Sequence, residues 1–214
     1  MPLALAILTI SCTGIVLWAD ARDNQPVRGV AKTAASMGFI GVALTRGALD
    51  GGPAQWALLG ALVLSAIGDI ALIGKSRNAV AAGLAAFFLA HVGFIATFIL
   101  SGVSWLGVGV ASVAIAQTIA PVWKWLSPHT GSLRYPVTAY VGVILVMVAM
   151  AGGALWQEPS WLRVGWLTAA LTFMASDLFV ARQRFVIKDP INRRIGLPLY
   201  YAAQLGFAFW MTSP

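Results

Sequence analysis

Apolar runs of roughly twenty residues recur along the chain, and short clusters of Arg, Lys, Asp, Gly and Pro separate them. Within the runs there is no strand-like alternation; Ala, Leu, Val and Gly follow one another with few polar interruptions. A helix rises 1.5 Å per residue, so such a run is about 30 Å long, the thickness of a bilayer's hydrocarbon core. In lipid each backbone N–H and C=O must be satisfied inside the segment, which a helix achieves and an open strand does not. The pattern predicts eight helices, over residues 2–19, 30–45, 54–73, 79–100, 103–121, 136–155, 161–181 and 196–212. The second is the shortest. The expected fold is all-α: a polytopic membrane helix bundle forming a single transmembrane domain over residues 1–214.

Tryptophan supports these limits, because indole rings favour the membrane interface. Trp18, Trp56, Trp105, Trp123, Trp125, Trp156, Trp161 and Trp210 fall at or near a predicted end, and Trp166 alone sits a full turn inside. Charge then predicts orientation. Of the 14 Lys and Arg residues, all but Arg46 and Arg163 follow the first, third, fifth and seventh predicted helices. By the positive-inside rule those loops are cytoplasmic and both termini extracytoplasmic, in a multi-pass protein of the cell (inner) membrane. Ala19-Asp20-Ala21 resembles a signal-cleavage site, but no basic residue precedes the first run and Arg22, Arg28 and Lys32 follow it. That order predicts a retained helix.

Composition narrows the function. The chain is 59% hydrophobic and 10% charged, against about 25% charged in a soluble domain. Its net charge of +7 is spread over loops, with no basic helix long enough to follow a phosphate backbone, so nucleic acid is not an expected partner. A single cysteine, Cys12, excludes an intrachain disulfide and a thiolate metal cage. Two histidines, with His129 in a Ser-Pro-His-Thr-Gly loop, are too few for a three-His zinc site, so no metal is expected. Neither Gly-x-Ser-x-Gly nor His-Glu-x-x-His occurs, and the eighth predicted helix has no lysine for a retinal Schiff base.

Three ionisable side chains lie clearly inside the predicted spans: Asp69, His91 and Asp177. A carboxylate at a helix centre costs about 2.5–3.5 kcal/mol on insertion scales, so such groups usually face the bundle interior and serve a site or pathway. Asp69 and Asp177 each lie four residues before a cytoplasmic helix end, about 6 Å deep; Gln204 is about 12 Å and His91 about 18 Å deep. Tyr200 and Tyr201 stand near the level of the acids. Two acids meeting in a dry site would share a proton, the arrangement for general acid–base chemistry. Alternatively each snorkels to water or to Lys75, Arg77 or Arg182. His91 reads equally as a packing residue, Tyr140 and Ser65 as interhelical hydrogen-bonding groups, and Lys32 as a topology or headgroup anchor.

The two halves of the chain share a pattern. Small residues precede Asp69 and Asp177, with an apolar turn and basic residues after each. Aromatic-aromatic-x-Ala-polar-x-Gly-Phe occurs at Phe87–Phe94 in the fourth predicted helix and again at Tyr200–Phe207 in the eighth. This suggests a 4+4 internal repeat that pairs the third and fourth helices with the seventh and eighth.

Gly68-Asp69, Phe88-Leu89-Ala90-His91-Val92-Gly93-Phe94-Ile95, Ser176-Asp177-Leu178 and Tyr200-Tyr201-Ala202-Ala203-Gln204, in this order and spacing, resemble the YhhN-like lysoplasmalogenase family. Lys32 matches a family lysine, although the proline that commonly follows it is Thr33 here, and Tyr140 falls where the family has a tyrosine. The resemblance implies hydrolysis of the vinyl-ether bond of lysoplasmalogens, or of a related lyso or ether lipid, to a fatty aldehyde and a glycerophospho-base. It implies no metal or organic cofactor, Asp69 and Asp177 as catalytic residues, and the membrane lipid itself as partner. His91, Tyr200, Tyr201, Gln204, Lys32 and Tyr140 are the expected substrate-binding residues, with Lys32, Arg182 and Arg184 on a basic rim suited to phosphate. The competing reading is a proton- or cation-coupled transporter for a small molecule or lipid, using the same buried groups.

Overall fold

A computed structural model describes residues 1–210 and contains eight α-helices: α1 Pro2–Ala21, α2 Gln25–Thr45, α3 Pro53–Ala71, α4 Arg77–Leu100, α5 Trp105–Leu126, α6 Arg134–Gln157, α7 Trp161–Ala181 and α8 Pro190–Trp210. Short polar side chains start several of them. Asn24, Ser76, Ser104 and Ser160 accept from the otherwise unpaired N–H groups of Val27, Ala79, Gly107 and Arg163. Two 3-10 turns, Ser127–His129 and Gly131–Leu133, join α5 to α6, and α7 ends in a π turn, Arg182–Val186.

The limits of α7 agree with the apolar pattern, and three helices depart from it. α2 begins at Gln25 rather than at residue 30, because the Asn24 cap and Pro26 in the first turn start it inside the polar loop. α5 continues through Pro121 to Leu126. α8 begins at Pro190, so Arg193 and Arg194 are helical rather than loop residues. The expected end at residue 212 lies outside the described residues.

Among the described residues seven helices, α1 to α7, are long and apolar enough to cross a membrane, and the chain is a multi-pass membrane protein. α8 is the exception because its polar residues lower its hydropathy; it packs on α7, α2, α1 and α3. Tyr201, Gln204, Phe207 and Ala208 of α8 are all buried. The bundle thus shields its most polar helix. The reverse holds for α1, which exposes Leu3, Ile7, Leu8, Ile10 and Ile15, a face suited to acyl chains rather than water.

Consecutive helices pair as hairpins, α1 with α2, α3 with α4, α5 with α6 and α7 with α8. At one end Asp20 of α1 binds Arg28 of α2 and Arg193 of α8 at 3.0 and 3.3 Å; this is the basic end. At the opposite end Arg163 donates to the carbonyls of Ser101, Gly102 and Ala154 and to Glu158. One guanidinium there joins the termini of α4, α6 and α7. Between the ends the core is aromatic: Phe94 stacks on Phe207 at 4.2 Å, and Phe98 and Phe173 complete the cluster.

The α3–α4 and α7–α8 hairpins close by the same contact. A Cβ on Gly93 would lie 2.9 Å from that of Ala61, and one on Gly206 would lie 3.1 Å from that of Ala169. Ala61 precedes Asp69 by eight residues, and Ala169 precedes Asp177 by eight. Each hairpin therefore holds its acid at the same height relative to its glycine. α5 stands apart, burying only Gly107 and Leu126 and packing chiefly on α6.

Candidate functional site

Lys32 and Ser36 are one turn apart on α2, so both reach the same point on α3. That point is Asp69. Lys32 Nζ lies 3.1 Å from Asp69 Oδ1, and Ser36 Oγ donates to Oδ2 at 2.7 Å. Tyr200 of α8 donates its hydroxyl to the same Oδ2 at 2.7 Å. Tyr201 donates to the carbonyl of Lys32 at 3.2 Å. An ammonium and two hydroxyls thus surround one carboxylate, with the Asp69 side chain 2% exposed. Dry ion pairs of this kind hold their place only when the remaining lone pairs are also satisfied, as they are here. Gly68 admits the ring of Phe87, which would stand 2.7 Å from any added Cβ and closes the cluster from α4.

Asp177 of α7 has a different partner. Its Oδ2 faces His91 Nε2 of α4 across 3.4 Å. The other ring nitrogen, Nδ1, lies 2.7 Å from the carbonyl of Phe87. A carbonyl only accepts, so Nδ1 carries a proton. Nε2 of the neutral ring is then an acceptor, as is a carboxylate oxygen. At 3.4 Å the two make no hydrogen bond, and neither atom has another protein partner. Tyr140 edges the imidazole at 5.6 Å and Phe173 covers it at 4.6 Å, fixing the ring in place.

Asp177 also borders a cavity of about 310 Å³ between α4, α5, α6 and α7, whose walls include Phe88, Tyr140, Met174, Arg184 and Phe185. Most of its lining is aliphatic or aromatic. Asp177 is the carboxylate in that lining, and Arg184, on the π turn, is the cation. Lys32 and Asp69 do not border it. Such a volume suits part of a small apolar ligand.

Tyr200 links the two clusters. It is bonded to Asp69, and its ring meets Phe173 edge-on at 5.5 Å. The acids are therefore neighbours through Tyr200 and Phe173, each with its own basic partner. One turn further from the basic end, Gln204 and Ser65 are fully buried, and neither the Gln204 amide nor the Ser65 hydroxyl has a protein partner.

Of the residues expected from the sequence, Asp69, Lys32, Tyr200 and Tyr201 form one cluster and Asp177, His91 and Tyr140 the other; Gln204 lies a turn beyond the first. Lys32, expected on a basic rim, is inside the bundle at 7% exposure. Arg182 is engaged by Asn192 and Asp189, which leaves Arg184 facing the cavity. Ser36 and Phe173 were not expected. The signal for Ser36 is its i+4 spacing from Lys32; an apolar Phe173 among many carries none. Among the described residues no three His, Cys, Asp or Glu side chains gather to hold a metal ion.

A family model described as the YhhN family matches residues 27–210. Over 222 residues the chain is 29% identical to lysoplasmalogenase TMEM86A of Bos taurus, covering 95% of this chain and 86% of that protein. It is 34% identical over 158 residues to lysoplasmalogenase TMEM86B of Rattus norvegicus, covering 72% of this chain and 61% of that one. A lysoplasmalogenase of Mycobacterium bovis is 34% identical over 176 residues, covering 75% of this chain and 63% of its own length. The chain thus spans just under two thirds of the rat and mycobacterial proteins. No solved structure matches significantly.

Proposed function

Because the chain belongs to the YhhN family, we propose that it is a membrane-embedded hydrolase cleaving the vinyl-ether bond of lysoplasmalogen or a closely related lyso or ether lipid. The relatives named lysoplasmalogenase support this reading. The observation that carries it is the His91–Asp177 pair on the wall of an apolar cavity.

An enol ether is attacked by acid at its β-carbon. In the acting form a proton carried by the Asp177 carboxyl is transferred there, leaving an oxocarbenium ion that the resulting carboxylate stabilises, with His91 beside it. Water adds to the α-carbon and returns its proton to the pair. The resulting hemiacetal collapses to a fatty aldehyde and the glycerophospho-base, so lipid plus water gives the two products and the acid is regenerated. Arg184 pairs with the phosphate at the cavity mouth.

Asp69 does not border the cavity, so we assign it a positioning role. It anchors Tyr200, which with Phe173 backs the imidazole, and it neutralises Lys32. Gln204 and Ser65 leave polar atoms free for a buried water, which needs two to four such partners. The basic end faces the cytoplasm in this reading, within the inner cell membrane. Towards the other end Phe94, Phe98, Phe173 and Phe207 fill the interior, which supports a one-sided site over a transport path.

The test is incubation of purified protein with a panel of lysoplasmalogens and saturated ether analogues, with aldehydes scored by mass spectrometry. Aldehyde from the vinyl ethers alone supports the proposal; no aldehyde from any of them contradicts it.

A further inference from the structure

The chain passes from α7 into α8 through the π turn Arg182–Val186, and one buried side chain ties that passage together. Asn192, in the first turn of α8, is 2% exposed. Its Oδ1 accepts from Arg182 Nη1, and its Nδ2 donates to Gln183 Oε1 at 2.8 Å and to the Ile187 carbonyl at 2.9 Å. A primary amide has two N–H groups to give, and both are used here. Gln183 Oε1 also accepts from the Asp189 N–H at 3.0 Å, and the Ile187 N–H closes the turn onto the Arg182 carbonyl at 2.9 Å.

π turns are rare, and they occur frequently at functional sites. This one extends the helix that carries Asp177, and it divides its side chains between two faces. Arg182 and Gln183 turn to Asn192. Arg184 and Phe185 turn the other way and border the cavity that Asp177 also borders. Arg182 is occupied by Asn192 and Asp189. Arg184 is exposed, and among the described residues no carboxylate pairs with it. Its place in the chain is seven residues beyond Asp177, about 10 Å at the helical rise, the scale of the glycerol unit that separates a vinyl ether from a phosphate. A free arginine loses rotamer freedom on binding, and a loose backbone beneath it would add to that cost. The hydrogen bonds of Asn192 hold that backbone in advance.

We infer that Asn192 is a positioning residue for the substrate's phosphate: it fixes the π turn so that Arg184 is held at the mouth of the Asp177 cavity. Asn192 itself does not border the cavity and acts through Arg184. This deepens the hydrolase reading and rests on it for the identity of the ligand, a single-chain phospholipid.

The experiment uses the full chain in nanodiscs of dioleoylphosphatidylcholine, with empty nanodiscs subtracted. The probes are radiolabelled hexadecyl-ether lysophosphatidylcholine and hexadecylglycerol, which share chain and ether linkage, differ in the phosphate-bearing headgroup and contain no vinyl ether to cleave. Asn192→Ala should weaken binding of the phospholipid about tenfold, the scale of one charge-assisted hydrogen bond, and leave hexadecylglycerol unchanged. Gln183→Ala, which removes one of the amide's acceptors, should act in the same direction and covers the event that Asn192→Ala misfolds. Arg184→Ala should match Asn192→Ala, and the double variant should bind no more weakly than Arg184→Ala alone. Lys188→Ala, removing an exposed cation on the same connection, should change neither ligand. Equal weakening of both ligands by Asn192→Ala, losses that multiply in the double variant, or an equal loss from Lys188→Ala overturns the inference. Aldehyde release from the vinyl-ether lysophosphatidylcholine is measured in parallel, where Asn192→Ala should raise KM and leave kcat within about twofold. The expected binding pattern without aldehyde from wild type overturns the hydrolase reading and upholds the role of Asn192; aldehyde with phospholipid binding indifferent to Asn192 and Gln183 does the opposite.

Discussion

His91 Nε2 and Asp177 Oδ2 face each other across 3.4 Å, while the other nitrogen of the imidazole is committed to the Phe87 carbonyl. Neither atom has another protein partner, which leaves both open to a substrate or a water. Replacing His91 with Phe keeps the packing against Phe173 and removes the nitrogen. Aldehyde release should fall about 100-fold, with thermal stability within about 1 kcal/mol of wild type.

Lys32 and Asp69 stabilise the fold only as a pair. Lys32→Met alone leaves a buried carboxylate with two hydroxyl donors and no cation, and should destabilise by about 3–5 kcal/mol. Lys32→Met combined with Asp69→Leu should recover a substantial part of that loss, read from thermal unfolding in detergent. The double variant should remain poorly active, because Tyr200 has lost its acceptor.

Gln204 has no protein partner for either amide atom. Gln204→Leu should therefore raise stability by about 1–2 kcal/mol while lowering turnover. A polar group kept for water in a site behaves this way; one kept for packing would lose stability on the same change.

Arg163 joins three helix ends at the end opposite the acids. Arg163→Met should cost about 3 kcal/mol or more by orphaning those carbonyls. Arg163→Lys should restore only part, since an ammonium cannot reproduce the planar fork. Turnover per folded molecule should be unchanged, as the cavity lies elsewhere.

Much of this architecture is legible in the sequence because lipid makes helix length and apolarity nearly obligatory. The limits of α7 follow directly. α2 and α8 start earlier than hydropathy suggests, because a cap or an early proline can begin a helix inside a polar stretch, which a hydropathy pattern does not register. Asp177 lies four residues before the end of α7, as the pattern gives it, whereas α3 stops at Ala71 and leaves Asp69 two residues from its end rather than four. Which base each acid meets is not readable. His91 comes from the α3–α4 hairpin yet pairs with Asp177 of α7, and Lys32 turns inward to Asp69 where charge alone suggests a rim. Those choices are made by packing: Phe173 and Tyr140 fix the imidazole, and the i+4 spacing of Lys32 and Ser36 aims both at α3.

The most direct measurement compares aldehyde release from lysoplasmalogen by wild type and Asp177→Asn, with binding of the uncleavable alkyl-ether lipid followed in the same preparations. Asparagine keeps the shape of the side chain and cannot deliver a proton to carbon. We expect release to fall at least about 100-fold with binding unchanged. Release within about twofold of wild type would contradict Asp177 as the acid of this site.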